Sequence, residues 1–195
     1  MFSLILFSLA MAITPGPNNI MVTASGSQFG FRRTIPHIAG IAAGMLLVLT
    51  ACAFGLEKVF LHWPRLRTAM QIASILYIAY LAYRIAGIDA DSLNQAPKKT
   101  RPLRAYESAV FQIINPKAFA ITTTLISTFS LPGGDYLGSI AIIGSVMVGV
   151  CIPAVSFWAL FGTYMKSWLK TPWLLRTFNV TMAILSLGSV LYGLV

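Results

Sequence analysis

Thr14-Pro15-Gly16-Pro17-Asn18-Asn19 interrupts a run, residues 2–27, that is otherwise apolar enough to cross a bilayer. Pro15 and Pro17 have no amide proton to give a helix, and Gly16 between them accepts backbone angles that other residues resist, so the hydrogen-bond ladder opens here. Carbonyls just upstream lose their partners. In hydrocarbon that is costly for each group, so such backbone survives only where protein buries it or where it lines a wet cavity. Asn18 and Asn19 then bring amide donors and acceptors to the start of the next half-helix, whose partial positive charge suits a carboxylate, that of an amino acid for example. The plainer alternative is a proline kink that only shapes packing.

A second polar break, Asn115-Pro116-Lys117 with Gln112 upstream, lies inside the apolar run 108–130. Lys117 is deep within that run, where a charged side chain costs at least ~2.5–3.5 kcal/mol near a helix centre and normally faces a cavity or a partner. No acidic residue adjoins it in sequence. It either binds substrate or meets helix carbonyls exposed by a break; if the span begins later, it sits at the membrane interface instead. One broken helix in each half of the chain points to a substrate site at the membrane midplane.

Composition sets the class around these motifs. Of the 195 residues 57% are hydrophobic and only 10% charged, with a mean hydropathy of +0.78, whereas about 25% charge is usual in a soluble domain. The expectation is an all-α integral membrane protein. Apolar runs at 2–27, 36–56, 68–88, 108–130, 138–163 and 173–194 give six transmembrane helices, the first and fourth broken. The linker Asn94-Gln95-Ala96-Pro97-Lys98-Lys99-Thr100-Arg101-Pro102 has the composition of a tether. It divides a single transmembrane domain, 1–195, into a first repeat 1–88, a cytoplasmic linker 89–107 and a second repeat 108–195. The apolar N-terminal segment has no Lys or Arg before it, as a signal peptide would, and is expected to be retained as part of the first span.

Arg32, Arg33, Arg84, Lys98, Lys99, Arg101, Arg104, Lys166, Lys170 and Arg176 fall in or beside odd-numbered loops, and only Lys58, Arg65 and Arg67 in even ones. The positive-inside rule then places odd loops in the cytoplasm and both termini in the periplasm. The net charge of +9 is read as topology and lipid-headgroup signal rather than nucleic-acid binding. Three spans per half make any internal duplication a 3+3 inverted repeat. Leu66-Arg67-Thr68 and Leu175-Arg176-Thr177, opening spans three and six, echo one another.

Gly40 and Gly44, with Ala39 and Ala43 beside them, let another helix approach span two closely, within the chain or in a homo-oligomer. Asn179 in span six either faces the same cavity as the breaks or bonds a neighbouring helix. Tyr77, Tyr80 and Tyr83 form one stripe, favoured as packing. His37 starts span two, where a solvated histidine is favoured over a proton relay. Cys52 and Cys151 sit in apolar spans as small hydrophobes. Glu57, Asp89, Asp91, Glu107 and Asp135 all fall in loops or at their edges, so no carboxylate relay is evident. No metal-ligand, nucleophile-elbow or Walker A pattern is present. No enzyme, metal or cofactor is called for, and energy would come from a gradient.

Pro15-Gly16-Pro17-Asn18, Gly30-Phe31-Arg32, the glycine-spaced second span and Asn115-Pro116-Lys117 together resemble the LysE/RhtB family of amino-acid exporters over essentially the whole chain. Thr14 to Ile20, Ala39-Gly40-Ile41-Ala42-Ala43-Gly44 and Cys52 look most like its cysteine and O-acetylserine exporter branch. The resemblance implies proton-driven export of small neutral amino acids or their derivatives across the bacterial inner membrane. Thr14, Pro15, Gly16, Pro17, Asn18, Asn19, Gln112, Asn115, Pro116, Lys117 and Asn179 form the expected substrate site. The lysine-exporter type carries intramembrane acidic residues with no counterpart here, which argues against a cationic substrate. The competing expectation from another class is a non-transporting membrane scaffold.

Overall fold

The computed structural model describes residues 1–56 and 101–168 continuously, with isolated positions between 62 and 76 and between 173 and 184. Every element of regular structure among the described residues is helical. Helix α1, Phe2–Ile13, is apolar throughout and ends where Thr14 turns extended (φ −59°, ψ 129°), as a residue preceding proline prefers. Helix α2, Pro17–Phe29, restarts with proline at its first position, where the missing amide is no loss. The two halves meet at 58°.

Gly30 reverses the chain in one residue through a positive φ of 80°, and α3, Phe31–Ala51, follows at once. The loop expected over 28–35 is therefore absent, and Arg32, Arg33 and Pro36 lie on the helix. Thr34 stabilises this corner by donating to Gly30 O at 3.0 Å and sharing a 2.9 Å hydroxyl bond with Ser25. A π-turn, Cys52–Leu56, with Gly55 at φ 103° closes α3.

Helix α4, Ala105–Ile114, begins three residues before the expected span. Glu107 sets that start: it accepts from the Arg104 backbone amide at 2.8 Å and pairs in fork geometry with Arg101 at 2.6 and 2.7 Å. Helix α5, Pro116–Phe129, leaves α4 at 72°. A short 3₁₀ turn, Gly133–Asp135, leads into α6, Tyr136–Trp168. Among the described residues, two helices are thus long and apolar enough to span a membrane alone, and counting each bent pair as one span gives four. The expected third and sixth spans fall largely outside the described residues, and Tyr77, Tyr80, Tyr83 and Asn179 lie outside them entirely.

Close helix crossings at glycines position the breaks. At Gly26 a side chain would run into the backbone of Ala159 on α6, and at Gly162 into that of Thr23 on α2. Thr23 donates to Trp158 O at 3.2 Å, and Thr163 to Gly26 O at 3.1 Å. The small-residue stripe of α3 is filled within the chain, with Gly40 against Ala105 and Ser108 of α4 and Gly44 against Ala109 and Gln112. Of the two readings of that face, internal packing is the one the fold adopts; Ala39 and Ala43 lie outside the contact, exposed. Ile41, Leu49, Leu125 and Ile143 fill the core between α3, α5 and α6.

His37 departs from expectation. Its side chain is 1% exposed, and both ring nitrogens lack a hydrogen-bond partner among the described residues. Because α3 starts at Phe31 rather than near 36, His37 sits a full turn and a half inside the helix instead of at a wet end.

Candidate functional site

The two polar breaks meet. Lys117, in the first turn of α5, reaches across to donate from Nζ to the backbone carbonyl of Thr14 at 2.8 Å. That carbonyl belongs to the open C-terminal end of α1, where a cation is favoured by the helix dipole. Asn19 turns its amide back onto the same end, donating to Ala12 O at 2.9 Å and Thr14 O at 3.0 Å. Two carbonyls at the open end of α1, those of Ala12 and Thr14, thereby find donors, and Thr14 receives one of its bonds from a charge brought from the other half of the chain.

Asn18 and Gln112 form a second crossing. Asn18 Nδ2 donates to Gln112 Oε1 at 2.8 Å, and Gln112 Nε2 donates to Asn18 Oδ1 at 3.0 Å. Gln112 also accepts from Asn115 Nδ2 at 3.3 Å and donates to Ser108 O at 3.0 Å. With two bonds accepted and two given, its amide is saturated. Gln112 is fully buried and acts on the site by holding Asn18 and Asn115 in place.

Asn115 explains why α4 and α5 separate here. Preceding a proline, it is extended (φ −81°, ψ 108°), and its side chain accepts from the Lys117 amide at 3.1 Å. This is an N-cap with proline at N1. Gly16, by contrast, is extended at φ −165°, a conformation open to any residue, so the freedom expected of it is not what the break uses. Space is the reason for glycine: a Cβ there would lie 3.1 Å from both Cδ and Nζ of Lys117.

Around these groups lies a small cavity of about 50 Å³ that is partly open to the surroundings. Ser8, Asn18, Asn19, Asn115 and Lys117 are its polar lining, with Gly16 and Pro17 at the break; its apolar wall includes Met11, Met45, Ile121, Met147 and Val155. Of the expected site residues, Thr14, Asn18, Asn19, Gln112, Asn115 and Lys117 are bonded into one cluster, with Pro15, Gly16, Pro17 and Pro116 forming its backbone. Lys117 retains ammonium hydrogens beyond the one given to Thr14. A cavity with one cation, unsaturated asparagine amides and thioether and branched walls suits a small zwitterion with a compact side chain. Among the described residues no cluster of His, Cys, Asp and Glu is disposed to hold a metal.

Ser8 is not among the site residues expected from sequence, and the methionines of the cavity were not legible as site residues. In a membrane helix apolar residues occupy every side, so periodicity does not tell a cavity wall from a lipid face. The one available signal was Ser8, a hydroxyl in the middle of the apolar α1.

A family model described as LysE type translocator matches residues 9–191. The cysteine/O-acetylserine efflux protein of Escherichia coli O1:K1 / APEC is 27% identical over 179 residues, covering 92% of this chain and 89% of that protein. The cysteine/O-acetylserine efflux protein of Salmonella choleraesuis (strain SC-B67) is 33% identical over 126 residues, covering 65% and 63%. No solved structure matches the chain. With broken apolar helices joined at a polar cavity and a family match across nearly the whole sequence, the chain belongs to the LysE type translocator family.

Proposed function

We propose that the protein is a secondary exporter of small neutral amino acids or their derivatives, with cysteine and O-acetylserine as leading substrates, in the bacterial inner membrane. The observation that carries this reading is the pair of crossings between the breaks, Lys117 to Thr14 and Asn18 to Gln112, set in the wall of a cavity. The substrate carboxylate takes the ammonium of Lys117, and Asn18, Asn19 and Asn115 orient its amino group. Two relatives named for cysteine/O-acetylserine efflux support the substrate class.

The crossings also suit a moving part. Hydrogen bonds between membrane helices are worth about 0.6 kcal/mol each on average, so the Asn18–Gln112 pair opens at a cost of roughly 1 kcal/mol. A substrate that outcompetes Thr14 O for Lys117 would release one half from the other, and rocking of the halves would expose the cavity alternately. Six spans in a 3+3 inverted repeat, with repeats 1–88 and 108–195, a cytoplasmic linker and periplasmic termini, complete the proposal. The proton gradient drives the cycle, as the family resemblance implies.

Counterflow in proteoliposomes tests the proposal. Purified protein preloaded with unlabelled cysteine or O-acetylserine should accumulate labelled external substrate above protein-free vesicles, and an imposed pH gradient should accelerate it. Absence of counterflow across a panel of amino acids would leave a membrane scaffold as the reading.

A further inference from the structure

We infer that Ser8 reads the substrate's side chain, its hydroxyl serving as the hydrogen-bond partner of a polar atom on the amino acid held at the breaks. This inference rests on the exporter reading above and adds a residue and a selection rule to it. Ser8 is 4% exposed and lines the same cavity as Asn18, Asn19, Asn115 and Lys117. Its Oγ has no hydrogen-bond partner among the described residues.

That orphaned state is unusual within this fold. Helical hydroxyls elsewhere turn back onto the carbonyl one turn earlier: Thr50 onto Leu46 at 2.8 Å, Thr124 onto Ala120 at 2.7 Å and Ser145 onto Ala141 at 2.8 Å. These are exposed side chains that need the internal bond because lipid offers none. Ser8 has the carbonyl of Leu4 in the equivalent place on α1 and makes no such bond, although it is buried. A buried hydroxyl left unpaired is unfavourable, and an occupant of the cavity that bonds it removes that cost.

Geometry sets the class of occupant. Ser8 precedes Thr14 by six positions, about 9 Å along the helix axis at the usual rise. Lys117 marks the Thr14 end. A carboxylate at Lys117 therefore leaves the side chain to extend along α1 towards Ser8, between the methionine and branched side chains of the apolar wall. Neutral amino acids with a hydroxyl, thiol or ester in the side chain satisfy Ser8, and those ending in a methyl group leave it unpaired.

Counterflow by the full chain in proteoliposomes, with labelled L-serine, L-cysteine, L-alanine and L-2-aminobutyrate, tests this directly. Serine and 2-aminobutyrate differ by a hydroxyl against a methyl, so their flux ratio isolates the polar tip. Ser8→Ala should lower the serine-to-2-aminobutyrate ratio roughly five- to tenfold, the worth of one hydrogen bond, and Ser8→Cys should fall between. The thermal midpoint of Ser8→Ala should not drop, because no bond is lost. A ratio unchanged in Ser8→Ala, or a loss equal for all four substrates, overturns the role of Ser8 and leaves the exporter reading standing. Failure of the wild type to move any of the four or O-acetylserine overturns both.

Discussion

Lys117 joins the two halves of the described structure through one charged hydrogen bond, to the carbonyl of Thr14 at 2.8 Å. Lys117→Met keeps length and apolar bulk and removes the charge, so the protein should still insert and fold while counterflow drops to less than about a tenth of wild type. Lys117→Arg should also transport poorly, since a planar fork cannot occupy the place of a compact ammonium against Gly16. Wild-type flux in Lys117→Met would remove the residue from the site. Gly16→Ala tests the same contact from the other side: the added methyl, 3.1 Å from Nζ, should push the ammonium off Thr14 and slow transport several-fold. Its effect on the thermal midpoint should be small, because the backbone angles are ordinary and the obstacle is the end of a flexible side chain. His37 offers the opposite case, a buried imidazole without hydrogen-bond partners among the described residues. His37→Leu forfeits no hydrogen bond and relieves an unpaired polar group, so its unfolding midpoint in detergent should stay level or rise.

Prolines in the described apolar helices behave in two ways, and the difference lies in their neighbours. Pro36 and Pro153 sit inside continuous helices, whereas Pro15 and Pro116 stand at breaks. At the first break Pro17 removes a second amide two residues on; at the second, Asn115 supplies a cap for the new helix. Asn115→Ala should therefore cost about 0.5–2 kcal/mol as a lost cap, and it also unties Gln112 from one of its partners. The α2–α6 crossing is equally specific. Gly26→Ala or Gly162→Ala forces a methyl into a facing backbone, which cannot yield as a side chain does, so each should lower stability by about 1–3 kcal/mol or more. A melting series on the two variants checks this; unaltered midpoints would mean that the helices are further apart than the structure has them. The sequence flagged the breaks because polar and proline residues stand out against apolar surroundings. It did not flag Gly26 or Gly162, since a lone glycine shows nothing of the helix that crosses it.

At the scale of the molecule, the distribution of Lys and Arg predicts a definite sidedness. Asp135→Cys should react with an impermeant thiol reagent from outside, and Thr100→Cys only from the cytoplasmic side; reversal of both would overturn the topology. The buried native Cys52 and Cys151 should stay silent in that assay. Membrane class, helical content, the two broken helices and the family could be read from sequence, because each follows from local quantities: apolar length against bilayer thickness, missing amide protons, and short motifs at fixed places. Helix ends were less legible, as Gly30 shows by compressing an expected eight-residue loop over 28–35 into one corner. Which polar groups are spent on structure and which are left for a ligand was decided by tertiary contacts alone. Gln112 and Ser8 are both buried polar side chains in apolar helices. Asn18, ninety-four positions away, completes the bonding of the first by exchanging two hydrogen bonds with it, and nothing among the described residues meets the second. Hydrogen-bond satisfaction depends on partners that the fold brings from distant parts of the chain, and that information is not contained in any local stretch of sequence.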